Sequence, residues 1–540
     1  MEFNRTVESE SDPNPNADSD AERAGIAANL PLRRRFRLPF ALAGSVLLVL
    51  VTWQVAVTVL DVPTVLLPAP SEIWVSAVAN VGSMYPHFVY TGMEALAGWT
   101  VGVGSGILLA AMMASSARLR AVLYPTLLAV RIVPLVVFAP LLILAFGATF
   151  ATRVGIAALL TFFPVTVAAL DGLRSVPKMH LDLGRLVGAS RWRSLVSVRL
   201  PHALPELFTG IKIATPLAVE GVLIAEFLAA TRGVGFELLE TSRLLRTPLL
   251  FAYLAVLVLG ALVLFGAVVA GERSVTSTEE TGSLGESFVT GRPVGELGRE
   301  ALPGAFVALL GVLVVWQLAA AVIPNASVFL PPPIDVGTTL VASPGLFVAA
   351  GYATGKKLLV GWLLGAGVGI ALGVCIRLVP GLRTVLYPYL VGLRVMPQIA
   401  LAPLLLVWFG VSFEAAAVMI ALSTFFPLAV GTVDGLAATP NEHVELLRSV
   451  DAPRWREVLF VRFRHAVPSL FAGVKLSVVT ALVGTVIAEW FVAERGLGVL
   501  VLQGMSDFAP ELTFAAATCL FAMGGIVFGI AALLQRYVSW

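Results

Sequence analysis

The sequence predicts an all-α integral membrane protein of about twelve transmembrane helices, built as two parallel six-helix repeats. Three observations carry this expectation. Hydrophobic residues make up 58% of the chain and charged residues only 13%, against roughly 25% charge in a soluble domain, and the mean hydropathy is +0.90. Apolar runs of about 17–25 residues, long enough to cross a bilayer, recur along the chain. These runs come in two sets offset by 263 residues: Trp53-Gln54 returns as Trp316-Gln317, Leu67-Pro68 as Leu330-Pro331, and Gly98-Trp99 as Gly361-Trp362. Likewise Thr161-Phe162-Phe163-Pro164 returns as Thr424-Phe425-Phe426-Pro427, Glu226 as Glu489, and Gly233/Gly235 as Gly496/Gly498. A constant offset marks a duplicated unit.

Residues 1–30 are polar and acidic (Glu8, Glu10, Asp12, Asp18, Asp20, Glu22) and bury too little apolar surface to fold, so they read as a disordered cytoplasmic tail. The first apolar run starts late and no small-residue cleavage site follows, which argues against a cleaved signal peptide. Arg33, Arg34, Arg35 and Arg37 precede that run and hold the N-terminus in the cytoplasm by the positive-inside rule. In half one the spans fall near 38–60, 88–114, 121–146, 154–170, 207–230 and 248–270. In half two they fall near 301–323, 351–377, 384–409, 417–433, 470–493 and 511–533. The domain boundaries expected from this are 31–271 and 299–540, joined by a polar cytoplasmic linker over 272–298. Six spans is an even number, so the halves enter from the same side, are related by an axis along the membrane normal, and leave both termini cytoplasmic.

Loop charge gives the same sidedness. The stretch 61–87 has no Lys or Arg and faces outside, while the loops 171–206 and 434–469 are dense in base and face inside. Arg232, Arg243 and Arg246 are exceptions on the outer side.

Composition also excludes several functions. A net charge of +2 with no basic stripe argues against nucleic-acid binding. The two cysteines, Cys375 and Cys519, both sit in apolar runs, which disfavours a disulfide framework or a cysteine metal site. His180 and His202 recur as His443 and His465, but no acidic or Cys ligand set at metal spacing accompanies them. Gly351-Tyr352-Ala353-Thr354-Gly355-Lys356-Lys357 is a poor phosphate loop: it has one spacer too few, Lys in the Ser/Thr place, and no preceding strand. Half one has Glu94 where Lys357 stands. With no nucleophile–base or metal constellation, a membrane enzyme is disfavoured. Transport across the seam between repeats is the leading expectation.

The basic loop of half one runs Leu181-Asp182-Leu183-Gly184-Arg185-Leu186-Val187-Gly188-Ala189-Ser190-Arg191-Trp192-Arg193, then Leu200-Pro201-His202-Ala203-Leu204-Pro205. Its apolar spacing predicts a short amphipathic helix, with a turn at Gly188. This loop resembles the cytoplasmic "EAA" loop of binding-protein-dependent ABC importer permeases. Asp182 takes the acidic position, Gly188 the glycine and Leu200-Pro201 the Leu-Pro. In half two Glu445 takes the acidic position, but Asp451 replaces the glycine and Phe463-Arg464 the Leu-Pro. Leu67-Pro68-Ala69-Pro70, Arg394-Val395-Met396-Pro397, Ala402-Pro403, Phe426-Pro427 and Asp434-Gly435 resemble the nitrate/sulfonate/taurine-type subfamily.

The resemblance implies two permease domains fused in one plasma-membrane chain. It implies coupling loops (Asp182, Gly188, Arg191, Leu200, Pro201; Glu445, Asp451, Arg454) that dock two copies of a cytoplasmic ATP-binding subunit. ATP and Mg then belong to that subunit, this chain has no cofactor, and an external solute-binding protein delivers a small anion or a vitamin precursor. The alternative from the residues alone is an ion-coupled secondary transporter, which predicts ionisable groups deep in the spans but no paired amphipathic loops.

Arg131, Pro134, Glu220, Arg394 and Pro397 are the expected lining of the pathway. Arg131 and Arg394 admit two readings, an anion-attracting site or, preferred, a structural Arg near the cytoplasmic end. Pro134, Pro140, Pro397 and Pro403 predict a kinked, pore-lining third span. Glu220, whose counterpart is Val483, either shapes an asymmetric cavity or makes an interhelical hydrogen bond. Glu226 and Glu489 are expected to pair with Arg232 and Arg495, Lys212 and Lys475 to snorkel, and the glycines at 98, 102, 104, 106, 361, 365, 367, 369 and 373 to pack helices closely.

Overall fold

The structure, a computed structural model, describes residues 32–538 apart from 117, 122, 125–126, 128–134, 187, 277–300, 324–328, 380–381, 441, 444, 446–448 and 450–452. The tail over 1–30 and nearly all of the expected linker thus lie outside the described residues. So do Arg131, Pro134 and Asp451, and of Arg191 and Arg454 only the backbone is described. The chain divides into two compact units, Met1–Asp61 and Val62–Trp540. The first contains the first span of half one, the helix Leu32–Val59.

Within the second unit every described element is helical. Half one continues with a lead-in helix Pro70–Ala79 and the second span Val81–Ser115. The third span ends in a 3₁₀ turn Leu135–Val137 and a helix Phe138–Phe146. The fourth span is Phe150–Arg174, the fifth Leu200–Ala229 and the sixth Thr247–Val275, with a short helix Val234–Arg243 between the last two. Half two repeats this order: Ala301–Val322, lead-in helix Pro333–Ala342, Pro344–Leu378, the broken third span Leu382–Val395, Gln398–Leu401 and Ala402–Phe409, then Phe413–Ala437, Phe463–Phe491, Leu497–Ser506 and Pro510–Val538. Eight of these helices are long and apolar enough to cross a membrane. The first and third spans of each half complete about twelve.

The four short helices at 70–79, 234–243, 333–342 and 497–506 are additions to the predicted set. Ten residues rise only about 15 Å, too short for a span, so a search for long apolar runs passes over them. Their start signals are local: Pro70 and Pro333 sit in first turns, and Glu72 folds back to accept from the Ala69 N–H at 2.8 Å. The third span is interrupted rather than kinked. The helix stops at Val395, Pro397 leads into the 3₁₀ turn, and Pro403 sits in the first turn of the next helix, where its missing N–H costs nothing.

Each half is centred on its fourth span, clasped between the second and fifth. Glycine makes the clasp possible. A Cβ on Gly102 would lie 2.7 Å from the Ala158 carbonyl oxygen, and one on Gly365 2.7 Å from that of Ala421. Gly104 and Gly367 instead face open space, so their expected packing role is not realised. The fourth spans begin alike: Thr149 Oγ1 accepts from Thr152 N at 3.2 Å and Ser412 Oγ from Ala415 N at 3.1 Å.

Candidate functional site

The two halves meet reciprocally. The fifth span of each packs against the 3₁₀ turn of the other's third span, Leu200–Ala229 on Gln398–Leu401 and Phe463–Phe491 on Leu135–Val137. The short helix after each fifth span packs against the other half's third-span helix in the same way. Such an exchange of equivalent contacts is the mark of a two-fold arrangement. Phe227 and Phe491 meet edge-on across the seam with ring centroids 5.1 Å apart, and Phe138 faces Phe521 at 6.0 Å. Trp408 Nε1 donates to the Leu66 carbonyl at 2.6 Å.

At the ends of the fifth spans stand two buried carboxyls with the same set of bonds. Glu226 accepts from Thr91 Oγ1 at 2.6 Å and from the Gly235 N–H at 2.6 Å, while Thr91 Oγ1 accepts from the Val234 N–H at 2.8 Å. In half two Glu489 accepts from Thr354 Oγ1 and the Gly498 N–H, both at 2.7 Å, and Thr354 Oγ1 accepts from Leu497 N at 2.8 Å. A carboxyl and a hydroxyl thus satisfy the free N–H groups opening each short helix. Gly233 and Gly496 make the approach possible. Their φ values are +117° and +148°, and a Cβ on either would overlap the Glu carboxyl.

The expected Glu226–Arg232 and Glu489–Arg495 pairs are corrected by these contacts. Arg232 lies over the Tyr90 ring at 4.7 Å. The cation beside Glu489 is Lys357, Nζ to Oε1 2.7 Å, which also donates to the Arg495 carbonyl. In half one Glu94 fills that position, and Arg153 neutralises it: Nε to Oε1 is 2.6 Å, with further donation to Tyr90 Oη and to the Ala148 carbonyl at 2.9 Å. The half-two counterparts of Arg153 and Tyr90 are Ala416 and Ala353. The sequence predicted a cation six positions on, but the cations at these sites come from other helices. The signal was present as the Glu94/Lys357 inversion. Lys212 is likewise corrected: it does not snorkel but is buried and pairs with Glu272 at 2.8 Å. His87 accepts from the Gly233 N–H at Nδ1 (3.0 Å) and places Nε2 3.3 Å from Glu237.

Among the expected pathway residues, Pro397 is buried at the break of the third span, and Arg394 lies 5.1 Å over the Phe426 ring. Glu220 is half-buried on the seam-forming fifth span and makes no hydrogen bond among the described residues. Gln398, which sequence reading passed over, lies in the turn that packs on Glu220's helix.

The basic loop of half one folds as a helix Lys178–Leu186, turns at Gly188 (φ +72°), and re-enters helix at Arg191–Ser194. One π turn, Leu195–Arg199, then leads into Leu200 and Pro201 of the fifth span. Half two has the same π turn at Glu457–Arg462. Met179, Leu183 and Leu186, at helical spacing, are 73%, 60% and 84% exposed. Asp182 is exposed beside them, as is Glu445 in half two. There His443 Nδ1 and His465 Nε2 are 3.0 Å apart.

Residues 102–277 and 365–540 each match the family described as the binding-protein-dependent transport system inner membrane component. The chain is 31% identical to a probable ABC transporter permease protein of Haemophilus influenzae over 234 residues, 43% of this chain and 94% of that protein. It is 35% identical to the riboflavin transport system permease protein RibX of Chloroflexus aurantiacus, over 43% of this chain and 88% of that protein. It is 32% identical to the formylaminopyrimidine transport permease protein ThiX of Halalkalibacterium halodurans, over 35% of this chain and 76% of that protein. A repeated match over most of the chain, on two halves that share their buried bonds and exchange contacts at the seam, makes this a multi-pass membrane transport subunit of that family, with two ABC importer permease domains fused in one polypeptide.

Proposed function

We propose that this chain forms the whole substrate pathway of its importer and recruits two copies of a cytoplasmic ATP-binding subunit, one at each basic loop. The observation that carries this is the helix Lys178–Leu186. Its apolar face of Met179, Leu183 and Leu186 is exposed in the basic loop between the fourth and fifth spans, and a solvated loop has no reason to present such a face. Asp182, Gly188, Arg191, Leu200 and Pro201 form this coupling segment in half one, and Glu445, Asp451 and Arg454 its half-two equivalent.

ATP and Mg are held by the partner subunit, and this chain binds no nucleotide and no cofactor of its own. Both termini and the 272–298 linker are cytoplasmic, between permease domains over 31–271 and 299–540. A solute-binding protein docks on the face opposite the coupling loops. The solute is a small organic molecule of the vitamin-precursor kind or a small anion. Arg131, Pro134, Glu220, Arg394 and Pro397 line its route.

The test is purification of the full chain with its soluble ATPase, followed by ATP-dependent uptake into vesicles. Two ATPase copies per chain are expected. Uptake driven by an ion gradient without the ATPase overturns the reading.

A further inference from the structure

The seam is chemically one-sided. Of the two reciprocal junctions, one joins the fifth span of half one to the turn Gln398–Leu401 of half two, and it carries Glu220 and Gln398. The other joins the fifth span of half two to Leu135–Val137, and the equivalent positions there are Val483 and Leu135. Both polar groups therefore lie on the two elements that make the same junction. The Glu220 carboxyl has no hydrogen-bond or ion-pair partner among the described residues. Among the described residues Gln398 has one hydrogen bond, Nε2 to the Leu422 carbonyl at 3.5 Å, at the outer limit of such a bond, and its Oε1 has none. Polar groups within membrane spans are normally satisfied by protein, because leaving them unmade is costly. Four other deep charged residues here, Glu94, Arg153, Lys357 and Glu489, are each tied to a partner. Glu220 stands apart from that rule.

We propose that Glu220 and Gln398 form the recognition edge of the pathway, and that the transported solute presents N–H donors to it: an amino- or imide-bearing heterocycle rather than an acceptor-only anion. As a carboxylate, Glu220 offers only acceptors to such a donor edge, and the Gln398 amide supplies both an acceptor and a donor. An oxyanion has only acceptor oxygens, and these would face the carboxyl across an apolar seam. The opposite junction, Val483 and Leu135, gives an apolar wall for the other side of a flat ring. The proposal rests on the permease reading and gives it a substrate class.

The experiment uses the full chain, co-expressed with its ATPase and binding protein, in right-side-out vesicles with enclosed ATP. The probes are labelled formylaminopyrimidine, riboflavin, nitrate and methanesulfonate. Uptake of either N–H-bearing probe is expected. In variants that still co-purify with the ATPase, E220V and Q398L each lower that uptake by about tenfold or more, the scale of a lost hydrogen bond to a charged or buried group. E220Q, which keeps an acceptor oxygen, stays within about threefold on the same scale. Uptake of nitrate or methanesulfonate, or of none of the four, overturns the class. Uptake by E220V within twofold of the parent overturns the role of Glu220. If E220V fails to assemble, Q398L and E220Q decide by the same limits. Loss of ATPase binding by the parent chain would instead strike the permease reading itself.

Discussion

Lys357 Nζ lies 2.7 Å from Glu489 Oε1 in half two, and the equivalent positions in half one, 94 and 226, hold two glutamates. Half one therefore holds two interacting carboxyls in a buried site. It balances them with Arg153, 2.6 Å from Glu94, where half two has Ala416. Glu226 keeps its Thr91 and Gly235 bonds throughout. The carboxyl that caps the short helix is thus the fixed part of the design, and the cation that balances the site arrives from a different helix in each half.

This exchange predicts a compensated pair of substitutions. Lys357→Glu alone leaves Glu489 without its cation and is expected to destabilise the detergent-purified chain by about 3–5 kcal/mol, the usual cost of breaking a buried ion pair. Adding Ala416→Arg rebuilds the half-one arrangement and recovers a large part of that loss. Thermal unfolding of the two variants checks it. A double variant no more stable than Lys357→Glu would mean that the Arg153 site works only with Tyr90 and the Ala148 carbonyl in place.

The glycines beside these carboxyls can be tested separately. Gly233→Ala and Gly496→Ala each force a Cβ onto the Glu carboxyl at a φ that L-residues avoid, so a loss of about 1–3 kcal/mol from backbone strain is expected, before any clash is counted. Gly104→Ala and Gly367→Ala meet open space and should be neutral or slightly stabilising in a helix. Measuring all four by thermal unfolding separates glycine required by contact from glycine that merely shares the stripe.

The fold was legible in the sequence because lipid leaves few choices: long apolar runs become helices, and the 263-residue offset between Trp53 and Trp316 doubles them. The same offset located Glu226, Glu489 and their glycines. Their partners were not legible, because Thr91 and Lys357 reach them, and Arg153 reaches Glu94, across helix packing that spacing along the chain does not encode. The Glu220 position was visible as a mismatch with Val483. Gln398 was not singled out, since the mismatch with Leu135 matters only once the turn is seen against the opposite fifth span.

The coupling helix gives a prediction on assembly. Leu183→Asp places a charge in the exposed apolar face formed with Met179 and Leu186 without touching the core. The chain should insert and unfold at an unchanged temperature, while co-purification of the ATPase drops by roughly tenfold or more, as for a central contact of an interface. A charge reversal at the exposed Glu445, the half-two counterpart of Asp182, tests through Glu445→Lys whether the second loop carries a share of the binding. Retention of full ATPase binding by both variants would remove the docking role of these loops.

The aromatic contact across the seam provides the last test. Phe227 and Phe491 meet edge-on at 5.1 Å, and Trp490 packs against Phe491 at 6.4 Å. Because the two rings come from opposite halves, their interaction reports on how the halves are held together. Phe227→Ala loses a buried ring and should cost about 3–5 kcal/mol where the site cannot collapse, while Phe491→Ala, at a half-buried ring, should cost less. The double variant should cost less than the sum, by about 0.5–1.5 kcal/mol, the usual coupling of an edge-on pair. If this contact lies on the part of the seam that moves as the halves alternate, it is broken in one of the two arrangements. The coupling should therefore be measurable without nucleotide and fall towards zero when the partner ATPase is locked with a non-hydrolysable ATP analogue. An unchanged coupling in both conditions would mean that the Phe227–Phe491 contact belongs to the rigid frame rather than to the moving seam.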